Sequence, residues 1–92
     1  MYEIRFRLEA YVDLEEIESY YSEISLSIVS MFFKEFSKTL NFIERQPNIF
    51  QERYRKIRIA HLYKFPYGIH YKITGNVVSV YRILHTKRYF KQ

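Results

Sequence analysis

Apolar residues take every second position of the opening segment, at Tyr2, Ile4, Phe6 and Leu8, with Glu3, Arg5 and Arg7 between them. That is the period of a strand with one buried face, so residues 2–8 are predicted as a first strand. From Glu9 the period lengthens. Leu14, Ile17, Tyr21 and Ile24 recur at helical spacing, while Asp13, Glu15, Glu16 and Glu18 gather on the other side. A short amphipathic helix is predicted here, its acidic start favoured by the helix dipole and its carboxylates read as a solvated face. Ser25 or Ser27 can cap a second helix, in which Val29, Phe32, Phe33, Phe36, Leu40 and Ile43 form a wide apolar stripe. Arg45 suits its last turn and Pro47 lies beyond its end. Only a short Ser-containing break separates the two helices, so an antiparallel helical hairpin is expected.

Strand chemistry returns after Pro47. Residues 54–59 alternate Lys56 and Arg58 with Ile57 and Ile59, and residues 69–73 alternate Ile69, Tyr71 and Ile73 with His70 and Lys72. Residues 77–84 are a long run rich in β-branched side chains. Gly75-Asn76 suits a two-residue loop, because both residues tolerate positive φ, and predicts a hairpin of the last two strands. The expected fold class is therefore α+β in the order β-α-α-β-β-β, a single domain over residues 1–92 with the helical pair on one face of a small, mostly antiparallel sheet.

Register then divides the sheet into faces. With Gly75 and Asn76 in the loop, Ile73 opposes Val78 and Tyr71 opposes Val80 on the core side, while Lys72 opposes Ser79 and His70 opposes Tyr81 on the other. If Ile57 and Ile59 point inward, then Lys56, Arg58, His70, Lys72, Tyr81 and His85 share an open surface. Arg82 falls on the buried side in this register, the one position that fits poorly.

Charge sharpens that picture. Residues 1–50 hold five Lys or Arg against nine Asp or Glu, net −4, whereas residues 51–92 hold ten against one, net +9. A basic half that is also rich in Tyr and Ile reads as a folded surface aimed at an anionic partner. Ten Tyr and eight Phe among 92 residues supply ample apolar surface for one core, which excludes disorder as the default. With no Cys, disulfides, thiolate metal sites and a cysteine nucleophile are excluded. The cytoplasm is the expected compartment, with neither export signal nor membrane span in view.

Among chemistry-bearing residues, His61, His70 and His85 show no paired metal-ligand spacing, so neither metal nor cofactor is expected. Two glycines, Gly68 and Gly75, exclude a phosphate-binding Gly-rich loop, and there is no Gly-x-Ser-x-Gly elbow. His85-Thr86-Lys87-Arg88-Tyr89 is more suggestive. A near-neutral imidazole, clustered cations and a phenol are the groups that metal-free RNA cleavage uses to move protons and stabilise charge on phosphate.

Several segments together resemble the RelE/ParE toxin superfamily. They are Tyr11-Val12-Asp13-Leu14-Glu15-Glu16-Ile17 with Tyr20-Tyr21, Pro47 after the second helix, Phe65-Pro66-Tyr67-Gly68-Ile69-His70-Tyr71-Lys72-Ile73, and Val80-Tyr81-Arg82-Ile83-Leu84-His85-Thr86-Lys87-Arg88. The resemblance covers nearly the whole chain. It implies a type II toxin, neutralised by an antitoxin from a neighbouring gene, that acts either on DNA gyrase or as a ribosome-dependent mRNA endonuclease. For a nuclease it implies His85, Arg58, Lys56, Arg88 and Tyr89 as catalytic groups. For target or nucleic-acid binding, the basic face and tail offer Arg55, Lys56, Arg58, His70, Lys72, Tyr81, Lys87, Arg88 and Lys91. Tyr63, Phe65 and Tyr67 are the expected aromatic anchors for antitoxin. Nucleases of the RelE type carry an arginine directly after the Tyr that opens the third strand, where this chain has Gly68 after Tyr67. That departure favours the ParE-like, plasmid-stabilisation branch and gyrase over mRNA.

Overall fold

The computed structural model describes residues 1–89, with side chains through Lys87. The N-terminal alternation becomes a short strand β1 (Glu3–Phe6), followed by α1 (Leu8–Ser22) and α2 (Leu26–Arg45). Ser25 is the residue that caps α2: its Oγ accepts from the backbone N–H groups of Ser27 and Ile28 at 3.1 and 3.4 Å. Past α2, Pro47 opens a single 3-10 turn, Pro47–Ile49. Strands β2 (Glu52–Tyr54), β3 (Ile57–His61), β4 (Tyr67–Thr74) and β5 (Val77–His85) follow, then a last helical turn α3 (Thr86–Tyr89). They form a five-stranded sheet in the order β1-β5-β4-β3-β2, parallel between β1 and β5 and antiparallel elsewhere. The α+β class and the predicted element order hold, with β2 added as a short edge strand. No described helix is long and apolar enough to cross a membrane.

Both helices cover one face. Ala10 and Ile17 of α1 and Phe32, Phe36 and Ile43 of α2 share a buried cluster with Ala60, Leu62, Tyr67, Ile69, Tyr71, Val78, Val80 and Ile83 of the sheet. Aromatic rings line its wider end: Phe32 lies edge-on to Phe65 and Tyr67 at 5.4 and 5.8 Å between centroids. The Tyr71 hydroxyl reaches through the core to donate to the carbonyl of Pro47 at 2.6 Å, tying the 3-10 turn to the sheet. Burial pushes that phenol up to about 12.

Two local departures from the expected pattern reset the faces. The first is the β2–β3 hairpin. Tyr54 pairs with Ile57 across Arg55 and Lys56, both of which have positive φ, 46° and 64°. Positive φ at both central residues suits a two-residue hairpin loop of the I′ type, and a Lys or Arg with its Cβ adopts it only at a cost. The second is a bulge. Tyr71 pairs with Val80 as predicted, but His70 pairs with Arg82, so Tyr81 is the extra residue of β5. Beyond it the parity of β5 flips, and Ile83 joins the core in the place that alternation had assigned to Arg82.

Candidate functional site

On the open face of the sheet, Tyr81 is the central side chain. The bulge turns it between two cations: the Arg7 guanidinium lies 4.7 Å from the ring centroid and the Lys72 ammonium 5.8 Å. Arg7 is held beside β5 because its backbone N–H donates to the carbonyl of Val80. Arg5, one alternation earlier on β1, is paired with Glu3 at 2.8 Å. Neither Arg5 nor Arg7 stands out in the sequence reading, which took β1 for its buried residues only, although its strict alternation already put both cations on the face away from the core. Arg55 and Lys56 are exposed at the tip of the β2–β3 hairpin.

His70 is on this face but not at its surface. It is fully buried, on the same face as Ile59 and Ile57, which are buried but lie outside the main core cluster. The Tyr54 hydroxyl is 2.8 Å from its Nδ1. Burial holds this imidazole down at about 4, with repulsion from His61 and Arg82 acting in the same direction. The expectation of an exposed His70 is therefore corrected. Gly68, on the same strand and face, explains part of the tight packing: a Cβ there would sit 2.8 Å from Cγ2 of Ile59.

Arg58 is corrected more sharply. Because Ile57 and Ile59 face away from the helices, Arg58 faces toward them. Its Nη1 donates to the backbone carbonyls of Asn48 and Phe50, and its Nη2 lies 3.4 Å from a carboxylate oxygen of Glu52. Arg58 thus fastens the 3-10 turn and the following segment to β3, on the side opposite to Lys72.

His85 is also on the helix side, because the bulge reverses parity before it. Its ring stands edge-on to Tyr67 at 5.2 Å, and its Nδ1 accepts from the backbone N–H of Lys87 at 3.2 Å. It lines a cleft of about 360 Å³ with Asp13, Glu16, Tyr20, Tyr67 and Arg82. Lys87 is exposed. The side chains of Arg88 and Tyr89, and all of Lys91, lie outside the described residues. Of the three aromatic anchors, Tyr63 is exposed, whereas Tyr67 is buried in the main core and Phe65 packs against it.

Asp13 is the functional surprise of α1. Expected on a solvated face, it is buried, and its carboxylate accepts from Nε and Nη2 of Arg82 at 2.8 and 3.0 Å and from the backbone N–H of Ile83 at 2.9 Å. β1 ends opposite Val80, so β5 continues past its parallel neighbour, and Asp13 supplies the acceptor that a longer β1 would have given. The signal was present in the spacing: Ala10, Asp13 and Ile17 form one helical stripe, and all three are buried. Arg82, the misfit of the sequence register, is its partner.

Comparison with known proteins agrees with this architecture. A solved structure titled "Chromosomal ParDE TA system from P. aeruginosa" superposes with a TM-score of 0.80 over 92% of this chain and 96% of that chain, at 17% sequence identity. No curated protein sequence matches the chain. The family model described as "ParE toxin of type II toxin-antitoxin system, parDE" matches residues 4–90. With that match spanning nearly its whole length, the chain belongs to the ParE toxin family of type II toxin–antitoxin systems.

Proposed function

We propose that this toxin arrests growth in the cytoplasm by binding DNA gyrase and inhibiting it, with the open basic face of the sheet and the cations Lys87, Arg88 and Lys91 as its contact surface. A cognate antitoxin follows from membership of the family. One observation carries the choice of gyrase over mRNA: among the described residues, His85, Arg58 and Lys56, which a nuclease would need together, do not converge. Arg58 is engaged with backbone carbonyls on the helix side, Lys56 caps a hairpin, and His85 pairs with Tyr67 at the other end of β4. Arg58 is opposite Tyr71, four residues from Tyr67 along β4, so Arg58 and His85 are separated by ~13 Å along the strands alone at ~3.3 Å per residue.

The position of Gly68 points the same way. An arginine after Tyr67 would bring its Cβ against Ile59, so the cation used by RelE-type nucleases has no room at that place without repacking of β3. A protein that binds a target without moving a proton needs neither group. Plasmid isolated from cells after toxin induction tests the reading. A shift of its topoisomers toward relaxation before growth stops is expected, and unchanged supercoiling in arrested cells with cleaved mRNA would overturn it.

A further inference from the structure

The cations of the open face follow the sheet's transverse direction. Arg5 pairs with Ser79 and Lys72 pairs with Ser79 from the other side, so one row runs from β1 through β5 to β4. Because Arg58 pairs with Tyr71, Ile57 is next to Lys72 in that row, and the Arg55-Lys56 loop immediately precedes Ile57. Arg7 and Tyr81 flank the row one step further along the strands. At ~4.8 Å between strands, the row covers ~15–20 Å from β1 to the hairpin tip. Among the described residues, no carboxylate forms an ion pair with Arg7, Arg55, Lys56 or Lys72, while Arg5 is paired with Glu3.

We infer that this row is a docking stripe for the phosphodiester backbone of duplex DNA, in which Arg7, Arg55, Lys56 and Lys72 meet phosphates and Tyr81 holds Arg7 and Lys72 in place. The inference rests on the gyrase reading and deepens it: gyrase acts on duplex DNA, and the open face meets the DNA of that complex. Three features select this ligand. A two-residue hairpin loop at positive φ is best served by Asn and Gly, yet this loop presents two cations in strained conformations, which are kept where binding uses them. Tyr81 has the Arg7 guanidinium against its ring and so offers no open platform for stacking unpaired bases, which argues for backbone contact. Large exposed apolar side chains, the anchors of a protein interface, sit mostly on the helices and loops, as at Leu8, Tyr11, Val12, Tyr20, Leu26 and Tyr63, and the exposed ring on the sheet, Tyr54, is engaged with His70.

Fluorescence anisotropy with purified toxin tests the stripe, using a labelled 20-base-pair DNA duplex, the matching single strand and a poly-glutamate peptide. Four phosphate contacts predict that log K for the duplex falls with log salt at a slope of about −3.6. Arg7→Gln and Lys72→Gln each reduce that slope by about one unit and weaken binding, Tyr81→Leu weakens it, and Lys38→Gln on α2 leaves it unchanged. Absence of duplex binding, or a slope indifferent to Arg7→Gln and Lys72→Gln, overturns the inference. So does tighter binding of the single strand, which assigns the face to bases, or equal binding of poly-glutamate through the same residues, which assigns it to an acidic protein. Gyrase inhibition without duplex binding would overturn the stripe and leave the gyrase reading standing. Duplex binding at these residues without gyrase inhibition would do the reverse.

Discussion

Replacing Asp13 with alanine removes three hydrogen bonds at once, and the structure lets the cost be divided. The Ile83 N–H, buried beyond the end of β1, loses its acceptor, at about 1–3 kcal/mol for an unsatisfied backbone donor. Arg82 loses a two-pronged ion pair, but its side chain is 45% exposed against 8% for Asp13, so its guanidinium turns to water at about 1 kcal/mol. Asp13→Ala should therefore destabilise the fold by about 3 kcal/mol, whereas Arg82→Ala leaves Asp13 bonded to Ile83 and open to water in the cleft it lines, and should cost about 1 kcal/mol. Asp13→Asn keeps an acceptor for Ile83 and should fall between them. Urea unfolding of the two single variants and the double variant closes the cycle, with a coupling of about 1 kcal/mol expected between Asp13 and Arg82. In thermal melts the Asp13→Ala change corresponds to a drop on the order of 15 °C for a domain of this size. Equal losses from Asp13→Ala and Arg82→Ala would refute the reasoning, because they would mean that the ion pair, and not the capped N–H of β5, holds α1 to the sheet end.

Lys56→Gly relieves a left-handed residue at the β2–β3 hairpin and should raise stability by about 0.5–1 kcal/mol in the same urea assay, while weakening target binding. Gly68→Ala brings a Cβ to 2.8 Å from Ile59 and should destabilise by about 1–3 kcal/mol; a melt unchanged from the parent chain would show that β3 yields freely. His70 is held at about 4 in the folded protein against 6.5 for the free side chain, so folding favours its neutral form. Its contribution is complete above pH 6.5 and is lost as pH falls toward 4, by about 3 kcal/mol in all, a trend read from melting temperature against pH and checked by its absence in His70→Gln. His85→Gln should preserve toxicity in an induction assay, whereas Lys87→Glu with Arg88→Glu should weaken it.

The sequence made the helical hairpin and the β4–β5 hairpin legible because their signals are long and redundant: the Phe32, Phe36 and Ile43 stripe of α2, the Ser25 cap, and Gly75 at φ 60°. The faces of the sheet were harder to read. Along β3 and the residue after it both parities are apolar, Ile57 and Ile59 on one side and Ala60 and Leu62 on the other, so alternation alone chose the bulkier pair as core and put Arg58 on the wrong face. In β5 the bulge at Tyr81 leaves no turn residue to announce it, and its trace was Arg82 in a core position. Glu52, Arg53 and Tyr54 are all exposed, so β2 has no buried face to create a period, and its loop lacks the expected Gly or Asn. The errors in β3 and β5 shift side chains from one face to the other, and His70 keeps its face but is buried there, which is why the helices and element order survived while Arg58 and His85 changed sides within the candidate site.

Gyrase inhibition is most directly measured with purified components: relaxed plasmid, gyrase and ATP, titrated with the toxin and resolved as topoisomers on a gel. The account predicts that supercoiling fails as toxin rises, that Lys72→Gln and Arg7→Gln shift the required concentration upward, and that His85→Gln does not. Full supercoiling at a large molar excess of folded toxin, from a preparation that cleaves mRNA in a translating extract, would contradict it.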